Sequence, residues 1–204
     1  MSRLVHVAWV VIMFVSVAYA QSADPPTYSV GDEWKFTNGR VQKVVKVDGD
    51  AVAMTGPGIG NCPGCLWYFD KSLNLQSIAQ ADGTPATTSK GFLPISGWQY
   101  WRFPLEVKKE WRLTPTGLTA AGRTQTYTID CTVQAYEDVA TKAGTFKAFR
   151  VQRQWSTPAE MQSGRAGSWV ETVWYAPEVK TVVKYSSTNP RAADPWELSS
   201  YSLK

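Results

Sequence analysis

Apolar and polar positions alternate with a period of two over most of this chain, most clearly between Ser168 and Ser186, SWVETVWYAPEVKTVVKYS. Trp169, Glu171, Val173 and Tyr175 share one face of a predicted strand, and Val170, Thr172 and Trp174 share the other. Thr181, Val183 and Tyr185 alternate on the way back, after a short turn over residues 177–180. Pro177 has no N–H to give a ladder, so pairing stops there. Residues 126–136 carry the same signal, with Tyr127, Ile129, Cys131, Val133 and Ala135 against Thr128, Asp130, Thr132 and Gln134. One face is core and the other is wet.

Upstream, residues 32–37 meet Asn38-Gly39, which accepts the positive φ of a tight hairpin turn, and residues 40–47 return. Asp48-Gly49-Asp50 turns the chain into residues 51–55, and 66–70 with 73–78 form a further short pair. Strands are also predicted over 109–114, 145–155 and 196–203, the last of them at a sheet edge, with a turn or a single helical turn over 137–144. No segment beyond residue 20 sustains a helical period. The expectation is an all-β domain over 28–204: a single antiparallel β-meander curved into a partly closed barrel, with a two-sheet β-sandwich as the alternative.

Two stretches interrupt the alternation. Residues 56–65, GPGIGNCPGC, are too rich in glycine and proline for regular structure. They lack the Gly-Lys-Ser/Thr ending of a phosphate loop, and no helical pattern follows. Residues 92–111 combine prolines with closely spaced large aromatics and read as an irregular segment lying across one mouth of the sheet.

The first twenty residues read differently. Arg3 precedes an apolar run from Leu4 to Val17, and Ala18-Tyr19-Ala20 matches a small-x-small cleavage site. The run is short for a span, which needs about 20 apolar residues. The expectation is a signal peptide cleaved between Ala20 and Gln21, a flexible lead over 21–27, a periplasmic or secreted product and no remaining transmembrane segment. Cleavage removes His6, the only histidine. That excludes a Ser-His-Asp or Cys-His nucleophile and any His-ligated metal site, and no metal or cofactor is expected.

Of 204 residues, 184 remain, enough for one domain. The formal charge falls from +4 to +3, with basic residues such as Arg150 and Arg153 scattered, so no nucleic-acid partner is expected. Nine Trp, eight Tyr and six Phe stay in the mature chain. Most belong in a sheet core, leaving a minority to line a ligand groove.

Three motifs occur in order: Phe103-Pro104-Leu105 with Trp111 downstream, Glu137-Asp138-Val139 leading to Ala143-Gly144-Thr145-Phe146, and Trp174-Tyr175-Ala176-Pro177. With the entry stretch YSVGDEWKF at 28–36, the series resembles the TapB-like family of exported bacterial β-rich domains, which is largely uncharacterised. The resemblance implies an envelope β domain and carries over no catalytic residues. The chain departs from that pattern where Lys108-Lys109 stands in place of a usual Gly, and where Glu178-Val179-Lys180 replaces Gly-Val-Gly.

Candidate chemistry is sparse. Cys62 and Cys65 form a C-x-x-C that reads as a local structural disulfide, with a redox pair or a bridge from Cys131 as alternatives. Cys131 lies on an apolar strand face and reads as a buried thiol. Glu171 is the acid whose setting stands out, since it shares a face with Trp169 and Tyr175: buried there, its carboxyl pKa is raised, while on a solvated face it is an ordinary surface acid. Trp98, Tyr100, Trp101 and Phe103 form either a plug at one end of the sheet or a surface for sugar rings and acyl chains. The leading functional expectation is a non-enzymatic envelope protein that binds a small hydrophobic or carbohydrate ligand in an aromatic-lined cleft. A structural module meeting other envelope proteins, and a thiol redox protein, are the alternatives.

Overall fold

The computed structural model describes residues 21–56, 64–80, 82–84, 92–119, 123–157, 167–190, 192 and 194–204. The expected signal peptide and Cys62 lie outside the described residues. The strands run as β1 (Ser22–Ala23), β2 (Glu33–Phe36), β3 (Val41–Asp48), β4 (Ala51–Thr55), β5 (Leu66–Phe69) and β6 (Leu75–Ala79). Then follow β7 (Phe92–Ser96), β8 (Leu105–Glu106), β9 (Glu110–Leu113), β10 (Thr116–Thr119) and β11 (Thr124–Thr126). The C-terminal half contributes β12 (Thr128–Thr141), β13 (Gly144–Ser156), β14 (Ser168–Ala176), β15 (Thr181–Ser187) and β16 (Trp196–Ser202).

The all-β expectation holds. Eleven described strands form one sheet in the order β6-β5-β4-β3-β2-β16-β15-β14-β13-β12-β9, and every pairing in it is antiparallel. The sheet is an open meander, with β6 and β9 at its two ends. Two small sheets, β1-β8 and β11-β10-β7, lie apart from it.

Several expectations need correction. The last strand is central: β16 pairs with β15 on one side and β2 on the other, because the chain ends must meet to join the two halves of the meander. Residues 137–144 are mostly strand, since β12 and β13 form one long hairpin that turns only at Lys142-Ala143. The lead is tied down, with Ser22–Ala23 paired to Glu106 and Leu105, and Ala23 buried. The irregular segment begins only after β7, at Gly97. Gly97 has φ +73°, which strains any other residue, and a Cβ there would sit a tight 3.1 Å from the backbone of Thr114 and Pro115.

Two cores form on opposite faces of the same strands. Phe149, Val151, Trp155, Val173 and Tyr175 pack into the first, while Ala148, Phe146 and Ala176 pack into the second. Ala148 and Phe149 are chain neighbours on β13 and therefore point to opposite faces. The second core is filled by the N-terminal strands through Trp34, Phe36, Val44, Val52 and Met54. The first is covered by residues 97–105, including Trp98, Trp101 and Leu105.

A buried knot joins the halves. The Asp32 side chain is fully buried; its Oδ2 accepts the Ser29 N–H at 3.0 Å and faces Lys180 Nζ at 3.0 Å, and its Oδ1 accepts the Lys204 N–H at 2.8 Å. Tyr28 Oη donates to the Lys180 carbonyl at 2.7 Å, and Trp34 Nε1 donates to the Val179 carbonyl at 2.7 Å. Lys108 and Lys180, in the two stretches where glycine was expected, both adopt left-handed backbone, with φ 75° and 57°. Lys180 also carries the ion pair to Asp32.

Candidate functional site: a buried polar row

Register alone assembles the site. Trp111, Cys131, Arg153, Glu171 and Ser187 stand opposite one another across β9, β12, β13, β14 and β15, and so share one face. Leu113, Ile129, Trp155 and Trp169 form the parallel row on one side. Val133, Val151, Val173 and Tyr185 form the row on the other. A polar row therefore crosses an otherwise apolar surface, and residues 98–101 lie over it.

Arg153 sits at its centre and is 7% exposed. Its guanidinium carbon lies 4.6 Å from the Tyr100 ring centroid and 4.9 Å from that of Trp101, within cation–π range of both. Nε has no hydrogen-bond partner, and among the described residues no acceptor bonds the guanidinium and no carboxylate lies within 4.0 Å of it. A buried, unpaired N–H such as that of Nε is costly, and native proteins rarely leave one without a reason.

Glu171, directly opposite, accepts the Tyr185 hydroxyl at 3.2 Å. Burial pushes its carboxyl above the ordinary range, and the Arg153 charge opposes that shift without cancelling it. The Trp155 and Trp169 indole N–H groups also favour the ionised carboxyl, yet neither completes a good hydrogen bond. The two indoles stack at 5.3 Å and 15°, and Tyr127 meets both edge-on. Burial, and then Glu171, push the Tyr100 hydroxyl well up and the Tyr185 hydroxyl up to about 12.

The aromatic cluster expected from sequence divides here. Trp98 and Trp101 are 3% and 6% exposed and belong to the core, so they form a cover, not an exposed binding surface. Trp98 is held in place by its Nε1 donating to the Thr116 carbonyl at 2.6 Å, and Trp101 by its N–H donating to Asn74 Oδ1 at 3.3 Å. Tyr100, Trp101 and Glu171 converge on Arg153, while Phe103 packs against Trp101 and Tyr175. Sequence reasoning passed over Arg153 as a surface charge, although its place in the run Phe149, Val151, Arg153, Trp155 puts it on the apolar face.

The sulfur chemistry is quiet. Cys65 is disulfide-bonded and buried beside Trp67. Cys131 is free and buried, so the bridge to Cys131 is ruled out, and burial raises its thiol to about 11, which keeps it protonated. Among the described residues, no group of three or more His, Cys, Asp or Glu is placed to hold a metal ion, and no helix is long and apolar enough to cross a membrane.

No protein-family model matches the chain, and no curated protein matches it. Solved structures do. An exported-protein candidate of Bacteroides fragilis, described as having a YmcC-like fold, matches with a TM-score of 0.50 at 12% identity, over 88% of this chain and 99% of that one. The chain shares that fold. A lipoprotein candidate of Parabacteroides distasonis (TM-score 0.49, 13% identity, 89% and 100% covered) and the hypothetical lipoprotein YmcC of Escherichia coli (0.49, 8%, 90% and 90%) also match.

Proposed function

We propose that the protein is a non-enzymatic binding protein of the bacterial envelope, and that its ligand is held at the Arg153–Glu171 row. Export is supported by the N-terminal Arg3, apolar run and Ala18-Tyr19-Ala20 series, and by the description of the Bacteroides fragilis neighbour as exported. Binding is supported by a single observation: Arg153, almost wholly buried, leaves its guanidinium without a hydrogen-bond partner among the described residues while two aromatic rings hold it in position. The site lacks an activated nucleophile, because the Cys131 thiol stays protonated and the histidine of the chain is at position 6. An apolar ligand is a poor fit for the first core, whose space is taken by Trp98, Trp101 and Leu105.

Native mass spectrometry of the protein purified from the periplasm tests this reading. The expected result is a stoichiometric bound mass that an Arg153→Met variant loses. A mass equal to the bare chain in both proteins would contradict it.

A further inference from the structure

We infer that the ligand is a small carboxylate, gripped by the Arg153 fork and the indole N–H groups of Trp155 and Trp169, with Glu171 facing it from the neighbouring strand. This rests on the binding reading above and names its ligand.

The balance of donors and acceptors carries it. Arg153 Nε, Trp155 Nε1 and Trp169 Nε1 are all buried without partners. Arg153 and Trp155 are 7% and 6% exposed, so water does not freely satisfy them. Among the side chains of the three rows, the one carboxylate acceptor is Glu171, which takes the Tyr185 hydroxyl and faces the two indole N–H groups without completing a bond to either. A site with donors to spare selects a ligand whose recognised end is all acceptor. A carboxylate matches the guanidinium fork with two parallel N–H···O bonds, where a lone hydroxyl makes one. Tyr100 and Trp101 fix the guanidinium before any ligand arrives, which lowers the ordering cost of binding. Trp155 is enclosed by Trp98, Tyr100, Tyr127 and Trp169, so the partly exposed Trp169 is the ring left to meet the remainder of the ligand.

Glu171 sets the pH dependence. Ionised, it repels a carboxylate; protonated, it donates a hydrogen bond to one. The groups around it are Arg153 on β13, Tyr185 on β15, Tyr100 in the covering segment, and Trp155 and Trp169 on either side, with the neutral Cys131 one strand further away. Burial shifts its titration upward from the ordinary carboxylate range. Wherever Glu171 is ionised in the free protein, carboxylate binding takes up a proton from solvent onto it and tightens as pH falls.

Titration of the mature chain with benzoate, followed by calorimetry and tryptophan fluorescence, tests the inference against glucose as the neutral control. Benzoate is expected to bind more tightly at about pH 6 than at about pH 8, by up to about tenfold per pH unit. Arg153→Lys keeps the charge but not the fork and is expected to weaken benzoate by about tenfold. Glu171→Gln is expected to keep benzoate binding and lose its pH dependence. Glucose binding without benzoate binding would overturn the carboxylate and leave the binding reading standing. Benzoate binding that is unchanged in Arg153→Lys, or still pH-dependent in Glu171→Gln, would overturn the assignment of these residues. If neither probe binds and the purified protein carries no ligand, both proposals fall together.

Discussion

Among the described residues, the fully buried Asp32 and the half-buried Glu171 each face a basic side chain, and they are built on opposite terms. At Asp32 each oxygen is used: the Ser29 and Lys204 N–H groups and the Lys180 ammonium converge on it. Burial alone would raise that carboxyl, but these bonds together outweigh it and hold the pKa below the ordinary range. At Glu171 the Tyr185 hydroxyl completes a bond but the indoles of Trp155 and Trp169 do not, Arg153 Nε stays unpaired, and burial wins. Completion marks a joint; on the binding reading proposed above, incompletion marks a place left for a ligand. The difference separates a group that holds the fold from one held ready by it, and each can be tested by removing its charge.

The largest effect belongs to the joint. Asp32→Ala strands the Lys180 ammonium and two N–H groups where the N-terminal stretch, the β14–β15 turn and the C-terminus meet, and is expected to cost about 3–5 kcal/mol in urea unfolding. A loss below about 1 kcal/mol, the range of an exposed pair, would erase the contrast.

The second test uses pH, because the two groups pull stability in opposite directions. Asp32 has its folded pKa lowered, so its contribution is present above the ordinary carboxylate pKa and is lost as pH falls through its folded value. Glu171 has its folded pKa raised, so the folded state loses stability as pH climbs from the ordinary carboxylate value through the raised one. Unfolding free energies against pH should therefore show Glu171→Gln more stable than the parent at neutral pH, by on the order of 1 kcal/mol, with the gap closing on acidification. Asp32→Asn should show a deficit that shrinks on acidification. Parallel curves for the two variants would contradict the account.

The smallest test weighs the Asp32 knot against backbone strain. Lys108 and Lys180 both hold left-handed backbone, but only Lys180 carries the ion pair to Asp32. Lys108→Gly is expected to gain about 0.5–1 kcal/mol, and Lys180→Gly to lose stability despite the same relief. A gain in both would mean the Asp32–Lys180 pair contributes little.

Much of the fold was legible because period-two alternation reports which face of a strand is buried, and Asn38-Gly39 fixes a hairpin locally. The position of β16 was not legible, since pairing between Trp34 and Tyr201 depends on how the two chain ends return to each other. Asp32 and Lys180 were hidden for the same reason: 148 positions separate the partners. Glu171 was readable from its company with Trp169 and Tyr175. Arg153 carried the same signal one strand earlier, between Val151 and Trp155, and was masked by the habit of assigning every charge to solvent. The aromatic run at 98–103 announced burial but not what it would cover, because its irregular backbone gives no face to count from.

The central claim is that the Arg153–Glu171 row serves a ligand and not the fold. The unfolding free energy of the double variant Arg153→Met/Glu171→Leu, measured at neutral pH beside the parent, tests it most directly. Replacing a buried, poorly paired charge couple with apolar groups of similar volume is neutral or stabilising by about 1–4 kcal/mol, and the account predicts a value in that range. A loss of about 3–5 kcal/mol, matching that expected for Asp32→Ala, would contradict it and make the row a second joint.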